Sequence, residues 1–386
     1  MNAQGCQFIE SVSSVLVLQL CPIGDTLFGT PALAALRRRF ADATISVMTW
    51  RSSCEVLENN PNIDRLITCT GALDAARTAS KLRSQGVDLV VGLSHVGSWL
   101  SAAFPNSIKV GFNSRTLGWL YAEQVPDKRT VHAIDYCLQV VQSLGATAVS
   151  RKMELYLSNR DRQAAMDWAL SVGLDFRKVT VAIHPGGKNF PAKRWSTSGF
   201  ASVADRLVVE LDADVVIVGG PDDVPLAQAI IDQASYASRL FVAAGHLPLK
   251  QTGALIERCT LFIGNDSAPQ HIASAVDTPV IALFGPTDPK SFGPTSSLSS
   301  VVTASLPCSP CFHWMTSPLQ YLYLSSVKRL ECRHECMSEI SADMVMSAVY
   351  LLLEKMRRQS LPGDEQKAAT VPCNSTANAP LMQCQN

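Results

Sequence analysis

An excess of charge of either sign is missing from this sequence: 33 basic residues are matched by 33 acidic ones, for a formal net charge of zero. A balanced chain has no long-range field to draw it onto nucleic acid, so no nucleic-acid partner is expected, and membrane contact should be at most peripheral. Long hydrophobic runs are missing too. The N-terminal apolar run from Val15 to Leu20 and on to Ile23 stops at Gly24-Asp25, far short of the roughly 20 residues a membrane-spanning helix needs. No basic stretch precedes this run and no small-residue cleavage site follows it, so a signal peptide is not expected and the compartment reads as cytoplasmic. Twelve cysteines are present, but most are dispersed through apolar segments, where a reduced thiol is a small buried hydrophobe.

What is present suits a globular protein of two domains: 386 residues, 47% of them hydrophobic. Short β-branched runs alternate with amphipathic stretches. Val15 to Leu20, Thr44 to Met48 and Val87 to Val91 read as strands. Pro31 to Phe40 reads as a helix, with Thr30 as its N-cap and Pro31 at its first position. A second series follows, with strands at Val179–Ile183, Asp214–Val218, Leu261–Ile263 and Pro279–Phe284. Helices are expected between them at Thr197–Leu211, Pro225–Ala237 and Pro269–Ala275. Alternation of this kind predicts an α/β fold with two successive parallel sheets, joined around Ser158 to Lys178. Ligands of such sheets bind beyond the carboxyl ends of the strands.

Five motifs fall at such ends. Gly24-Asp25 follows the first strand: the glycine permits a sharp turn, and the carboxylate either projects into the crevice or starts a helix. His184-Pro185-Gly186-Gly187-Lys188, with Lys193-Arg194-Trp195 beyond it, offers glycines for close backbone approach and three cations to neutralise a diphosphate. Asp266-Ser267-Ala268 leads into a helix near Ser267, whose free N–H groups favour an anion. Asp266 itself could cap that helix or bind a ligand. His271, one turn in, could contact a phosphate or fill the helix–sheet interface. Gly219-Gly220-Pro221-Asp222-Asp223 places a carboxylate where ribose hydroxyls could meet it, and Gly285-Pro286 reads as a structural turn. Asp212-Ala213-Asp214 has the form of a metal-binding acidic motif but precedes a strand, on the wrong sheet edge. Cys308, Cys311, Cys332 and Cys336 have spacings a zinc site could use; structural thiols are the preferred reading.

With these motifs in order, the chain resembles the heptosyltransferase family, glycosyltransferase family 9, over about residues 13 to 355. The resemblance rests on "IGDTLFGTPALAALRRRF", "VAIHPGGKNFPAKRWSTSGFASVADRL", "VVIVGGPDD" and "LFIGNDSAPQHIASAVDTPVIALFGPTDP", with smaller echoes at His132, Leu144-Gly145 and "CSPC". It implies a GT-B fold, two Rossmann-like domains facing each other across a cleft, with the last helix usually returning to the first domain. The expected layout is a flexible 1–12, an acceptor-side domain over 13–165, a nucleotide-sugar domain over 178–340, a helix over 341–357 and a disordered 358–386. It also implies an inverting transfer that needs no metal or other cofactor, most often of heptose from ADP-heptose to a lipid-linked lipopolysaccharide core.

Carried over residue by residue, Asp25 matches the general base and Lys193 the lysine that binds donor phosphate. Gly186, Gly187, Lys188, Arg194, Asp223, Asp266, Ser267, Ala268 and His271 make up the expected donor site. Gly24, Gly285 and Pro286 are expected to shape turns. The sequence departs from the family pattern at Ala268, commonly glycine, at Gln270, commonly methionine, and at Gln19, often basic and a possible acceptor contact. Arg37, Arg38 and Arg39 could meet an anionic acceptor or lie on a solvated helix face. Alternatives are transfer from another nucleotide sugar, epimerisation of a free nucleotide sugar, and a degenerate module that only binds.

Overall fold

The structure is a computed structural model that describes residues 12–112, 123–125, 131–187, 190–311 and 334–359. Lys188, Cys332 and nearly all of the segments expected to be flexible (1–12) or disordered (358–386) lie outside the described residues. The first half contains β1 (Ser14–Gln19), α1 (Ile23–Phe28), α2 (Thr30–Arg39), β2 (Thr44–Trp50), β3 (Arg65–Cys69), α3 (Ala72–Gln85), β4 (Leu89–Gly92), α4 (His95–Leu100), β5 (Ile108–Phe112), β6 (Glu123–Val125) and α5 (Ala133–Gln142). The second contains α6 (Asn159–Ser171), β7 (Thr180–His184), α7 (Thr197–Leu211), β8 (Asp214–Ile217), α8 (Val224–Ile231), β9 (Leu240–Val242), α9 (Leu249–Glu257), β10 (Leu261–Asn265), α10 (Ala268–Ala275), β11 (Val280–Phe284), α11 (Pro289–Phe292), β12 (Ser299–Thr303), α12 (Glu335–Ser338) and α13 (Ala342–Gln359).

Each half builds one sheet, in the orders β3-β2-β1-β4-β5-β6 and β12-β11-β10-β7-β8-β9. Every pairing is parallel. Counted from its own first strand, each sheet has the order 3-2-1-4-5-6 of a dinucleotide-binding fold, so the strand order reverses beside β1 in one and beside β7 in the other. The central strands read as unbroken apolar runs because helices cover both faces: Val15, Leu16, Val17 and Leu18 are all buried, as are Val181, Ala182 and Ile183. One apolar cluster runs through both halves, joining Leu27, Phe28 and Leu33 to Leu255, Ile272 and Phe284.

Several local expectations are corrected. Gly29, not Thr30, is the N-cap of α2, and the Thr30 hydroxyl donates to the Leu27 carbonyl at 2.8 Å. Residues 225–237 are not one helix: α8 ends at Ile231 and a separate 3-10 turn spans Ala237–Arg239. The last helix does not return to the first half. α13 buries Val345, Met346, Val349 and Leu352 in the core of the second, and Arg206 on α7 pairs with Asp343 at 2.7 Å.

Candidate active site

Asp25 is delivered by a helix and not by a turn. Pro22 stands in extended backbone at the N-cap of α1, and Asp25 sits in the first turn, where the helix dipole favours a carboxylate. Gly24 is therefore helical, and its smallness serves another purpose. A Cβ placed there would meet Cδ2 of His271 at 3.0 Å and the Ala268 backbone at 3.9 Å. The glycine lets α1 of the first half lie directly on α10 of the second. Gln19, below α1, is fully buried and donates from Nε2 to the Thr26 carbonyl at 2.8 Å. It braces the helix and does not face an acceptor.

Between the halves lies a cavity of about 690 Å³, lined by Gly24, Asp25 and Phe28 on one side. The other side presents His184, Gly187, Lys193, Asp223, Asp266, Ser267, Ala268 and His271. The second half assembles this wall through Asn265 at the end of β10. Its side-chain amide donates to the carbonyls of Pro185 and Gly186 at 2.9 and 3.0 Å, and its Oδ1 accepts the Trp195 N–H at 3.1 Å. One buried side chain thus fixes the whole segment after β7, since a buried amide needs these partners.

Asp266 neither caps α10 nor faces open solvent. Its Oδ2 accepts from Lys193 Nζ at 2.7 Å and from the Thr287 hydroxyl at 2.7 Å. The Asp266 side chain is 5% exposed and that of Lys193 21%, so the cation is the partner nearer the cavity. Burial pushes the Asp25 carboxyl up from its ordinary 3.8 to about 6; the Lys193 ammonium opposes this and the Asp266 carboxylate adds to it. A carboxyl tuned to that range ionises near neutral pH and is a competent general base. His271 goes the other way, to about 4, through burial above all; the Asp266 charge opposes the shift. It is a neutral ring at neutral pH, packed edge-on against Phe28 with centroids 4.5 Å apart. It bridges the two halves while still lining the cavity.

A second bridge lies nearby. His132 Nδ1 accepts the Ile134 N–H at 3.2 Å, which puts the ring proton on Nε2, where it is donated to the Gly293 carbonyl at 2.9 Å. Phe292, beside that carbonyl, lies tilted against Phe28 with ring centroids 6.3 Å apart and lines the apolar end of the cavity.

The family model for glycosyltransferase family 9 (heptosyltransferase) matches residues 75–322. The chain belongs to that family. Lipopolysaccharide heptosyltransferase 3 of Escherichia coli K12 is 27% identical over 374 residues, covering 89% of this chain and 98% of that one. A solved family 9 glycosyltransferase from Veillonella parvula matches at TM-score 0.74 and 27% identity, over 89% of this chain and 97% of that one. The structure of Escherichia coli ADP-heptose lipopolysaccharide heptosyltransferase II shares the fold at TM-score 0.70 and 19% identity, over 89% and 99% of the two chains. The two facing Rossmann-like units are accordingly the GT-B fold of a glycosyltransferase.

Not every residue expected at the site of this family 9 glycosyltransferase lines the cavity. Gly186 is closed off: a Cβ there would meet Oδ1 of Asp223 at 2.1 Å and Nε2 of His184 at 2.7 Å. Arg194 stands behind the wall, where its charge helps to lower the Asp223 pKa. Burial pushes Asp223 up, but the His184 ring and the Gly220 N–H overcome this and hold it below the usual carboxylate range. Gly285 and Pro286 are structural, packed against Met337 and Cys336 and accepting from Ser309 and Cys311 through their carbonyls. Cys308 is exposed, Cys311 half-buried and Cys336 buried. Among the described residues no three histidine, cysteine or acidic side chains are grouped as metal ligands.

Arg37, Arg38 and Arg39 lie on the surface of α2, with Arg38 exposed, and each bonds neighbouring backbone. Arg37 holds the Ala41 and Ala43 carbonyls and Asp64, Arg38 the Thr147 carbonyl, and Arg39 the Leu144 carbonyl. Asp212 and Asp214 pair with Arg239 at the far end of the sheet, as their place at the start of β8 implies. Reading the sequence missed several members of the site, Phe28 and Phe292 among them. Thr287, in the turn after β11, carried no signal; His184 stood inside a quoted motif without a role.

Proposed function

We propose that this glycosyltransferase moves heptose from ADP-heptose onto a hydroxyl of a lipid-linked lipopolysaccharide core, with inversion and without a metal. In this reading the unit over 13–165 presents the acceptor and the unit over 178–340 holds the donor, with the helix expected over 341–357 as a brace. The observation that carries it is the placement of Asp25 across one cavity from the Lys193–Asp266 pair, each altering the ionisation of the base.

Asp25 takes the proton of the acceptor hydroxyl as that oxygen attacks the anomeric carbon. The nucleoside diphosphate departs from the opposite face of the sugar. Its growing charge is met by Lys193, with Lys188 and Arg194 adding to the local field, and by the N–H groups at the start of α10 near Ser267 and Ala268. Phe28, Phe292 and His271 keep the reacting end dry, which limits transfer to water. The names of the relatives support the sugar and the acceptor class. Among the described residues no helix is long and apolar enough to cross a membrane, which fits an enzyme working at the inner face of the cytoplasmic membrane.

The test is a transfer assay with ADP-heptose and a heptose-bearing core acceptor in the presence of chelator, with the anomeric configuration of the product read by NMR. A retained configuration, or a rate that collapses with chelator and returns with a divalent ion, would overturn the mechanism. Transfer only from another nucleotide sugar would overturn the donor, and interconversion of the free nucleotide sugar without acceptor would make the protein an epimerase.

A further inference from the structure

Lys193 ends a single 3-10 turn, Pro191–Lys193, and one turn of that kind has little stiffness of its own. Two residues on, Trp195 ties it to the body of the domain. Trp195 is 4% exposed. Its backbone N–H is donated to Asn265 Oδ1 at 3.1 Å, and its indole Nε1–H to the Ile340 carbonyl at 2.8 Å. Gly199 leaves room for the ring, since a Cβ there would stand 2.5 Å from Cε2 and Cζ2. Phe200 meets the ring edge-on, with centroids 5.0 Å apart. The indole is thus gripped by packing along its body and by a hydrogen bond at its polar edge, as a buried tryptophan requires.

Ile340 lies between α12 and α13, and the same stretch reaches the other member of the Lys193–Asp266 pair. Met337 and Cys336, on α12, occupy the space that a Cβ on Gly285 would need. Gly285 opens the turn that delivers Thr287, whose hydroxyl donates to Asp266 Oδ2 at 2.7 Å. Residues 336–340 therefore stand behind both Lys193 and Asp266, which engage each other at 2.7 Å. The stretch is held in turn by α13, whose Val345, Met346, Val349 and Leu352 are buried in the core of the second domain. A last helix that stays in this domain makes such a brace available. The lysine ammonium rides on a flexible four-carbon stem, so it meets a diphosphate only as well as its backbone is placed.

We propose that Trp195 is a positioning residue of the donor site: anchored on the Ile340 carbonyl, it fixes the backbone that carries Lys193 and so sets how firmly the ammonium holds a nucleoside diphosphate. The inference rests on the reading of this cavity as the donor site. It gives residues 336–340 a part in binding although none of them lines the cavity.

The experiment is isothermal titration of the full chain with ADP, run as a cycle on wild type, Trp195→Phe, Lys193→Ala and the double variant. Phenylalanine keeps a buried ring and lacks the N–H. With Lys193 present, Trp195→Phe should weaken ADP binding by about 10-fold, within the roughly 100-fold that a 1 Å misplacement can cost. In the Lys193→Ala protein the same change should cost less than about twofold, because effects exerted through one shared group do not add. A tryptophan that only fills the core would cost the same in both backgrounds. That result, or unchanged affinity in Trp195→Phe, overturns the proposal while leaving the donor site intact. Lys193→Ala binding ADP as tightly as wild type, or no binding by wild type, overturns the donor-site reading and this inference with it. Should Trp195→Phe not fold, β-(3-benzothienyl)alanine at position 195 keeps the bicyclic shape without the N–H, and the same cycle decides.

Discussion

Gly24 of the first domain and His271 of the second are in contact distance across the cleft: a methyl group on the glycine would stand 3.0 Å from the imidazole Cδ2. The neighbour of that glycine is Asp25, and the ring faces Asp266 at 3.8 Å. One close approach therefore sets how far the helix that carries Asp25 can come toward the opposite wall of the cavity.

Gly24→Ala should hold the halves apart by a fraction of an ångström. Because misplacing a reacting group by 1 Å can cost about 100-fold, we expect kcat to fall by roughly tenfold or more. ADP affinity, set by the second half, should stay within about twofold. Steady-state kinetics beside ADP titration checks this, and an unchanged kcat would show that the contact does not govern closure.

Asp25→Asn should remove transfer by a factor of about 10²–10⁴ with ADP binding nearly intact. In the wild type kcat/KM should rise with pH and level off above about 6, since the base must be ionised and its pKa is raised to that value. A profile flat from pH 5 to 8 would remove Asp25 as the base.

The two buried titrations should oppose each other in stability. Asp25 keeps its proton in the folded state between its ordinary 3.8 and about 6, so it makes stability fall as pH rises through that window. His271 refuses its proton in the folded state between its ordinary 6.5 and about 4, so it makes stability fall as pH drops through nearly the same window. Either alone is worth on the order of 1–3 kcal/mol. Urea unfolding from pH 4 to 7 should show Asp25→Asn losing stability on acidification more steeply than wild type, and His271→Leu less steeply. Parallel curves for all three proteins would contradict both shifts.

Lys193→Ala should leave Asp266 buried beside Thr287 without its cation. Breaking such a pair costs roughly 2–4 kcal/mol here, less than in a fully buried case because the lysine side chain is 21% exposed. ADP binding should weaken by about 10- to 100-fold. The double variant Lys193→Ala with Asp266→Asn should regain stability but not affinity. Recovery of both would assign the lysine a purely structural role.

How much of this was legible in the sequence follows burial. β1, β7, β10 and β11 are covered on both faces and stand out as apolar runs. The strands that went unread, β3, β6, β9 and β12, are the four sheet edges, where β12 has one buried residue in five. β5 was hidden by Lys109, whose ammonium is buried only because the Phe104 and Ser107 carbonyls receive it. At the site, Asp25, Lys193 and Asp266 could be found because motifs collect at strand ends. The pairing of Ser267 with His184, 83 residues away, and of Asp266 with Thr287, 21 away, arises only when β7, β10 and β11 lie side by side. Gly24 was noticed for the wrong reason, since its neighbour in space belongs to the other domain.

The cavity is shared: Asp25 arrives on α1 from one domain, whereas Lys193, Asp266 and Ser267 belong to the other. On the proposed mechanism, an activated sugar resting on the second domain alone lacks the base assigned to the first. On that mechanism the enzyme holds its donor in readiness without draining the supply of it, and transfer waits for the halves to join.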